Sequence, residues 1–215
     1  MITDRDLVLA AAATYGSDAP TFVGLDGTAR VFRTVIGDTA IYAIEGTHDP
    51  RGWLLDFMAL PVEEHASVEH PDIGWVHGGI FAVLLSVWPQ MLAAIMMDVK
   101  AGLNIAPTGH SLGAGCAVDA VALLVALGIM PVHAAFFAPP RVGFKKLHQL
   151  VDMVSTSAYR NGNDPVPEVP IRAVPLWLYE QLPLLCGGVS VRPPWDAHHI
   201  DLYVALEASI NGEQK

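Results

Sequence analysis

The chain has 215 residues, of which 52% are hydrophobic and 16% charged, and its formal net charge is −10 at pH 7. This length and composition suit a single domain, residues 1–215, built around one sizeable core. The acidic balance argues against nucleic acid and against an anionic membrane surface as partners, because both would repel the chain.

The N-terminal segment predicts an amphipathic helix from Ile2 to Tyr15, ended by Gly16. Asp4 and Asp6 lie in it, and no basic region precedes a long apolar core, so no secretory signal is visible. We expect a cytoplasmic protein, although a secreted protein in its processed form would look the same.

Two β-rich runs, Arg30–Ile36 and Thr39–Ile44, flank Gly37 and Asp38 and predict a hairpin. The polar segment Ala59–Ile73 follows, and a solvated surface loop is the expectation for it. Its histidines lack the spacing of a metal motif such as H-E-x-x-H, so we expect no metal site.

The segment Ile80–Met97 is apolar for long enough to suggest a membrane span. Pro89 and Gln90 interrupt it, however, and Asp98 with Lys100 ends it quickly. We therefore expect a buried helix and no integral membrane segment.

The pattern Gly109-His110-Ser111-Leu112-Gly113 lies between the apolar run Ile105–Ala106 and a core helix within Leu112–Val132. Strand, tight turn and helix form the context of the G-x-S-x-G nucleophile elbow, in which the two glycines let strand and helix approach each other. The elbow aims the Ser111 hydroxyl at a substrate, and the Leu112 N–H faces the charge that develops on an attacked carbonyl. A Gly/Ser turn that merely caps a core helix is the alternative.

The hairpin delivers Gly46-Thr47 to the same edge of the sheet, where the Thr47 N–H can supply a second oxyanion donor; Gly46-Thr47 taken alone is more often just a turn. The two cysteines can form one bridge, but Cys116 lies in the apolar helix after the elbow, where a free buried thiol is the commoner outcome. Whether Cys116 and Cys186 are bridged stays open at this point.

Strand and helix alternate after the elbow helix: a strand is predicted over His133–Ala138, a helix over Phe144–Val154 and a strand over Ser155–Arg160. This alternation predicts a doubly wound, mostly parallel sheet with helices on both faces. Ligands of such sheets bind beyond the carboxyl ends of the strands, where Asp164 lies. Asp before Pro is also a commonplace turn.

A final helix is predicted over Trp195–Leu206, with His198 and His199 in its first turn. Ser111, then Asp164, then a histidine is the order of the triad in an α/β-hydrolase. Adjacent helical residues point about 100° apart, so only one histidine can meet both partners, and spacing alone leaves the choice open.

The ordered motifs resemble the class 3 lipases, the fungal-lipase-like branch of the α/β-hydrolases, in its bacterial form. The resemblance spans residues 41–203. It rests on Ile44-Glu45-Gly46-Thr47 (F-R-G-T), Trp53 and Asp56 (W-x-x-D), Val76-His77-Gly78-Gly79-Ile80 (v-H-x-G-F), Gly109–Gly113 (G-H-S-L-G), Phe137–Gly143 (f-G-x-P-R-v-G), Asn161–Pro167 (the acid loop) and His198 with Tyr203 (H-x-x-x-x-Y).

The resemblance implies an α/β-hydrolase fold and a serine ester hydrolase that needs no cofactor and no metal. It assigns Ser111 as nucleophile, His198 as base and Asp164 as the acid, with Thr47 and Leu112 as the oxyanion hole. The implied substrate is a small-molecule or lipid ester, with at most transient contact with a lipid interface. An acyltransferase or amidase with the same triad, or a catalytically silent binding protein, stays open, as does the oligomeric state.

Two departures from the family pattern matter. Glu45 stands where the family has arginine, which puts a local ion pair in doubt. The segment where the family's lid helix would lie, Ala59–Ile73, is short and acidic rather than amphipathic. It offers few apolar residues for a lid that opens at an interface, so we expect activity on dissolved short or medium acyl esters without interfacial activation. The apolar stretch Leu176–Leu185 argues the other way, since it can line a long-chain site.

Overall fold

The structure is a computed structural model that describes residues 1–25, 27, 29–47, 61–64, 70–170 and 179–212, with 61–64 and 212 described by their backbone alone. The described strands are β1 (Phe22–Val23), β2 (Arg30–Ile36), β3 (Thr39–Ile44), β4 (Pro61–Glu64), β5 (Gly74–His77), β6 (Asn104–His110), β7 (Ala134–Phe137), β8 (Thr156–Asn161) and β9 (Leu185–Gly187). The described α-helices are α1 (Asp4–Thr14), α2 (Gly78–Lys100), α3 (Leu112–Ala126), α4 (Lys145–Val151) and α5 (Ile200–Gly212). Short 3-10 helices span Val166–Glu168 and Pro194–His198.

Seven strands form one sheet in the order β1-β2-β3-β6-β7-β8-β9. The first three are antiparallel neighbours, and every pairing from β3 to β9 is parallel. The predicted hairpin is confirmed, with Ile36 opposite Thr39 and Gly37 at a φ of 59° that glycine adopts without steric cost. Because β3, β6, β7, β8 and β9 run parallel, their carboxyl ends meet at one edge, which we call the carboxyl edge; the opposite edge is the amino edge.

Helices cover both faces of this sheet, as the alternation of strands and helices predicted. The helices α2, α3 and α4 pack on one face around buried side chains such as Trp88 and Phe136. The other face carries α1 and α5, packed around Phe137 and Tyr203. Burial on both faces explains why β3 and β7 have no exposed residue and read as continuous apolar runs.

The prediction of a buried helix over Ile80–Met97 holds for one face of α2. In the described part of the chain, α2 is long and apolar enough to cross a membrane by length and composition, and 39% of its most apolar window is buried. Asp98 fixes its end to the hairpin: Arg33 donates to both carboxylate oxygens at 2.8 and 2.5 Å, and the Tyr42 hydroxyl donates at 2.6 Å. These contacts hold α2 against the sheet.

The structure corrects two predicted segments. Ala59–Ile73 is not irregular throughout, because β4 pairs antiparallel with β5; four residues are too few to give a periodic signal. The helix predicted over Trp195–Leu206 is two elements, since a 3-10 helix ends at His198, His199 is extended with φ −63° and ψ 133°, and α5 begins at Ile200.

Both cysteines are free thiols, Cys116 buried in α3 and Cys186 exposed. Trp53 and Asp56, of the W-x-x-D motif, lie outside the described residues.

Candidate active site

Ser111 lies at a strand-to-helix turn, between the last residue of β6 and the first of α3. Its φ of 59° is in the left-handed region, which costs free energy for a residue with a Cβ. A Cβ on Gly109 would lie 2.4 Å from the Gly113 carbonyl carbon, and one on Gly113 would lie 2.1 Å from the Ile44 carbonyl oxygen. Neither position admits a side chain, so the two glycines are what lets strand and helix approach, as the motif predicted.

His198 contacts both of the other predicted residues. Its Nε2 lies 2.8 Å from Ser111 Oγ and its Nδ1 lies 2.7 Å from Asp164 Oδ2. His199 is exposed, and its backbone is extended, between the 3-10 helix and α5. The break in the helix thus separates the two histidines, and we call Ser111, His198 and Asp164 the elbow set.

Asp164 is fully buried, and its carboxylate has three hydrogen-bond partners. Besides His198, Oδ1 accepts the Val166 N–H at 2.9 Å and Oδ2 accepts the Tyr203 hydroxyl at 2.5 Å. Burial raises the pKa of Tyr203 well above its ordinary value, and the charge of Asp164 raises it further, so the phenol remains a donor. The phenol oxygen also accepts the Asn161 N–H at 3.1 Å, which ties α5 to the end of β8.

Arg141, from the f-G-x-P-R-v-G segment, fixes the chain beyond Asp164. Its guanidinium donates to the Pro170 carbonyl at 2.8 Å and to the Glu168 carboxylate at 2.7 Å. The charges of Arg141 and Arg160, together with their hydrogen bonds, outweigh the effect of burial and lower the pKa of Glu168. The segment that follows the acid is therefore held by Arg141, from the loop after β7, and by Arg160, from β8.

The predicted oxyanion residues come from two places in the fold, the start of α3 and the segment after β3. Leu112 is the first residue of α3, where backbone N–H groups have no partner within the helix. Thr47 is half-buried and follows Gly46, on which a Cβ would lie only 3.2 Å from Ser111 Cβ. The end of β3 thus approaches the nucleophile, and the roles of Thr47 and Leu112 stay predictions.

Glu45, which stands where the family has arginine, forms an ion pair with Arg30. Glu45 Oε2 lies 3.0 Å from Arg30 Nη1, and Arg30 Nη2 donates to the Ser17 carbonyl oxygen at 2.8 Å. The pair joins the segment after α1 to the strand end that carries Thr47.

Sequence reasoning gave no role to Tyr15 or His110. The Tyr15 hydroxyl lies 2.7 Å from His110 Nδ1, and the His110 ring lies 4.6 Å from the ring of His198. No sequence pattern links α1 to the elbow, so this contact is visible only in the fold.

Within the described ranges, no group of three or more His, Cys, Asp and Glu side chains is arranged to hold a metal ion. Part of the segment Ala59–Ile73, including His65, and the stretch 171–178 lie outside those ranges. The expectations about interfacial activation and about a long-chain site are therefore not tested.

A serine at a tight strand-to-helix turn, with its histidine and aspartate on loops beyond the carboxyl ends of a parallel sheet, defines the α/β-hydrolase class. Solved lipase structures share the fold. The triacylglyceride lipase of Rhizomucor miehei matches with a TM-score of 0.64 at 20% identity, over 80% of this chain and 74% of that chain. A triacylglycerol lipase of Penicillium expansum matches with a TM-score of 0.68 at 16% identity, over 86% and 78%. The mono- and diacylglycerol lipase of Aspergillus oryzae gives 0.55 at 17% identity, over 80% and 76%.

The family model described as lipase (class 3) matches residues 41–174, more than half of the chain. The chain therefore belongs to the class 3 lipase family and is a serine ester hydrolase. A comparison of the sequence with curated proteins finds no match.

Proposed function

We propose that the protein hydrolyses carboxylic esters through an acyl-enzyme, with Ser111 as nucleophile, His198 as general base and Asp164 as the group that orients the imidazole. One observation carries the proposal: the hydrogen bonds are continuous from Asp164 Oδ2 to His198 Nδ1 at 2.7 Å, and from His198 Nε2 to Ser111 Oγ at 2.8 Å. These are the contacts that proton transfer from the serine requires.

In this mechanism Ser111 Oγ attacks the carbonyl carbon while its proton passes to His198 Nε2. The Nδ1 proton stays on the ring and is donated to Asp164, which stabilises the imidazolium. Collapse of the tetrahedral intermediate breaks the ester bond, and the alcohol leaves with the Nε2 proton. Water then attacks the acyl-serine in the same way and releases the acid.

The N–H groups of Thr47 and Leu112 would hold the negative oxygen of the tetrahedral intermediate. The close approach of Gly46 to Ser111 and the position of Leu112 at the start of α3 support this assignment. One such donor contributes about 3 kcal/mol to lowering the barrier, because it is already oriented before charge develops.

Lipid esters are the substrates that we propose. Structural relatives are named as triacylglycerol and mono- and diacylglycerol lipases. Ser111 is buried. A buried site strengthens each hydrogen bond to the developing charge.

The test is hydrolysis of p-nitrophenyl esters of increasing acyl length by Ser111→Ala. We expect a loss of about 10⁴-fold or more in kcat in a variant that unfolds cooperatively like the wild type. Ser155→Ala, at an exposed serine on the amino edge, is the matched control and keeps full activity. A folded Ser111→Ala protein with unchanged turnover would overturn the proposal.

A further inference from the structure

The phenol of Tyr15 joins two parts of the site. Tyr15 follows the last residue of α1, and its hydroxyl lies 2.7 Å from Nδ1 of His110, the residue before the nucleophile. A Cβ on Gly46 would lie 2.2 Å from the same hydroxyl and 2.5 Å from the His110 carbonyl oxygen. One hydroxyl therefore contacts both the residue before Ser111 and the residue before Thr47.

The protonation states of both groups allow Tyr15 to donate to His110. Burial raises the pKa of Tyr15 above its ordinary value, the Glu45 carboxylate raises it further, and a hydrogen bond with the Gly46 backbone opposes both effects. The phenol is thus neutral and can donate its proton to His110 Nδ1. Burial holds the pKa of His110 well below its ordinary value, and the neighbouring charge of His198 lowers it further. A neutral imidazole that accepts at Nδ1 carries its proton on Nε2.

His110 in turn lies against the base. The two rings, His110 and His198, have their centroids 4.6 Å apart at 32°, and the Tyr203 ring is 5.4 Å away on another side. Of the groups that face His110, Tyr15 and Tyr203 are neutral, and His199 acts on it only through its charge when protonated. A neutral aromatic ring is compatible with a positive charge on His198, whereas a second imidazolium at this distance would repel it.

We propose that Tyr15 is a positioning residue for the ester-hydrolysis reaction: its hydroxyl holds His110 as a neutral, Nε2-protonated ring against His198 and holds Gly46 in place beside Ser111. The role rests on the proposed function of the elbow set. Through His110 the phenol keeps a second charge away from the base, and through Gly46 it orients the Thr47 N–H.

The variant Tyr15→Phe keeps the ring and removes only the hydroxyl. We expect kcat to fall about fivefold to tenfold, the effect of one hydrogen bond, with KM changed less than about twofold. The loss should grow below pH 7, because His110 without its donor takes up a proton more readily and then opposes the charge on His198. The assigned ¹⁵N signals of His110 should report the Nε2–H form in the wild type at pH 7 and a rise in its pKa in the variant.

The matched control is Tyr159→Phe, which removes a buried phenol hydroxyl that donates to Asp4 of α1 at 2.5 Å, on the amino edge. It should lower stability and leave kcat and the pH profile as in the wild type. Equal behaviour of Tyr15→Phe and Tyr159→Phe would reduce Tyr15 to a structural residue and overturn the inference. If Tyr15→Phe does not fold, the wild-type spectrum still decides, because an Nδ1–H or doubly protonated His110 at pH 7 contradicts the proposal.

Ser111→Ala, measured in the same series, separates the two proposals. Activity retained by Ser111→Ala refutes the proposed function itself. An inactive Ser111→Ala beside a Tyr15→Phe protein with wild-type kcat, pH profile and His110 spectrum refutes only the role of Tyr15.

Discussion

The two edges of the sheet each hold a serine, a histidine and an aspartate, but only the elbow set is arranged to move a proton from its serine. At the amino edge, Ser155 Oγ lies 3.2 Å from His133 Nδ1, and His133 Nε2 hydrogen-bonds Asp4. We call these three residues the amino-edge set. Two of them, His133 and Ser155, also line a cavity of about 580 Å³. The same residue types and a sizeable cavity therefore do not define an active site by themselves.

The difference lies in what the histidine nitrogens face. His133 Nδ1 is also 2.9 Å from the Ser155 carbonyl oxygen, which can only accept, while Nε2 faces a carboxylate. Acceptors at both nitrogens favour the doubly protonated ring, and the hydrogen bond with Asp4 raises the pKa of His133 although burial opposes it. Such an imidazolium has no lone pair for the proton of Ser155. In the elbow set His198 faces one carboxylate, and its Nε2 faces a hydroxyl.

The largest effect is expected from replacing the histidine of the elbow set. His198→Ala should lower kcat on an activated ester by about 10⁴-fold or more, because the serine loses its base. His199→Ala and His133→Ala should keep kcat within about twofold of the wild type, since neither residue faces Ser111. Nearly complete loss in the His199 variant with an active His198 variant would reverse the assignment. The same loss in a folded His133 variant would move the active site to the amino edge.

A smaller effect is expected where a tyrosine hydroxyl supports each aspartate. Tyr203→Phe removes the donor 2.5 Å from Asp164 and the acceptor of the Asn161 N–H. We expect kcat to fall about tenfold and the free energy of unfolding to fall by about 2 kcal/mol, the value of a hydrogen bond to a buried charge. Tyr159→Phe, which removes the donor to Asp4, should affect unfolding alone. A change of kcat in both variants, or in neither, would remove the distinction between the two sets.

The smallest effect is the pH dependence of stability at the amino edge. The pKa of His133 is raised in the folded protein. Its contribution to the free energy of unfolding is therefore complete below the pKa of the unfolded chain, about 6.5, and is lost as pH rises through the pKa of the folded protein. For Asp4, burial alone would raise the pKa, but hydrogen bonds from His133, Tyr159 and Ser157 lower it. The contribution of Asp4 is therefore present above about 4 and is lost as pH falls through the folded value.

The variant His133→Gln isolates this pair. We expect its free energy of unfolding, from urea titrations, to be lower than that of the wild type by about 1 kcal/mol near pH 5.5, a partly exposed pair being worth little more. The difference should shrink toward pH 9. The pH dependence of wild-type stability alone does not show this effect, because buried, neutral His110 acts in the opposite direction. The contribution of His110 to stability is lost as pH falls below about 6.5. A difference that is constant with pH would contradict a charged His133.

Much of this architecture was predictable because its signals are local. The hairpin around Gly37, the elbow at Ser111 and the alternation of strands and helices after it each depend on neighbours in sequence. The position of Asp164 followed from the rule that loops at the carboxyl edge carry ligands and catalytic groups.

The unpredicted features depend on contacts between distant segments. The break at His199 aligns a buried His198 with the elbow while α5 packs its own apolar face, and no period in the sequence marks it. Tyr15 and His110 are 95 residues apart and meet only because α1 packs on the sheet beneath the elbow. The pairing of β4 with β5 involves four residues of each strand.

The most direct test of the central claim is the site of reaction with a small fluorophosphonate, mapped by mass spectrometry of the folded protein. The account predicts one adduct per chain, on Ser111, with none on Ser155 and none in Ser111→Ala. An adduct on Ser155, or a folded active enzyme that carries no adduct on Ser111, would contradict it.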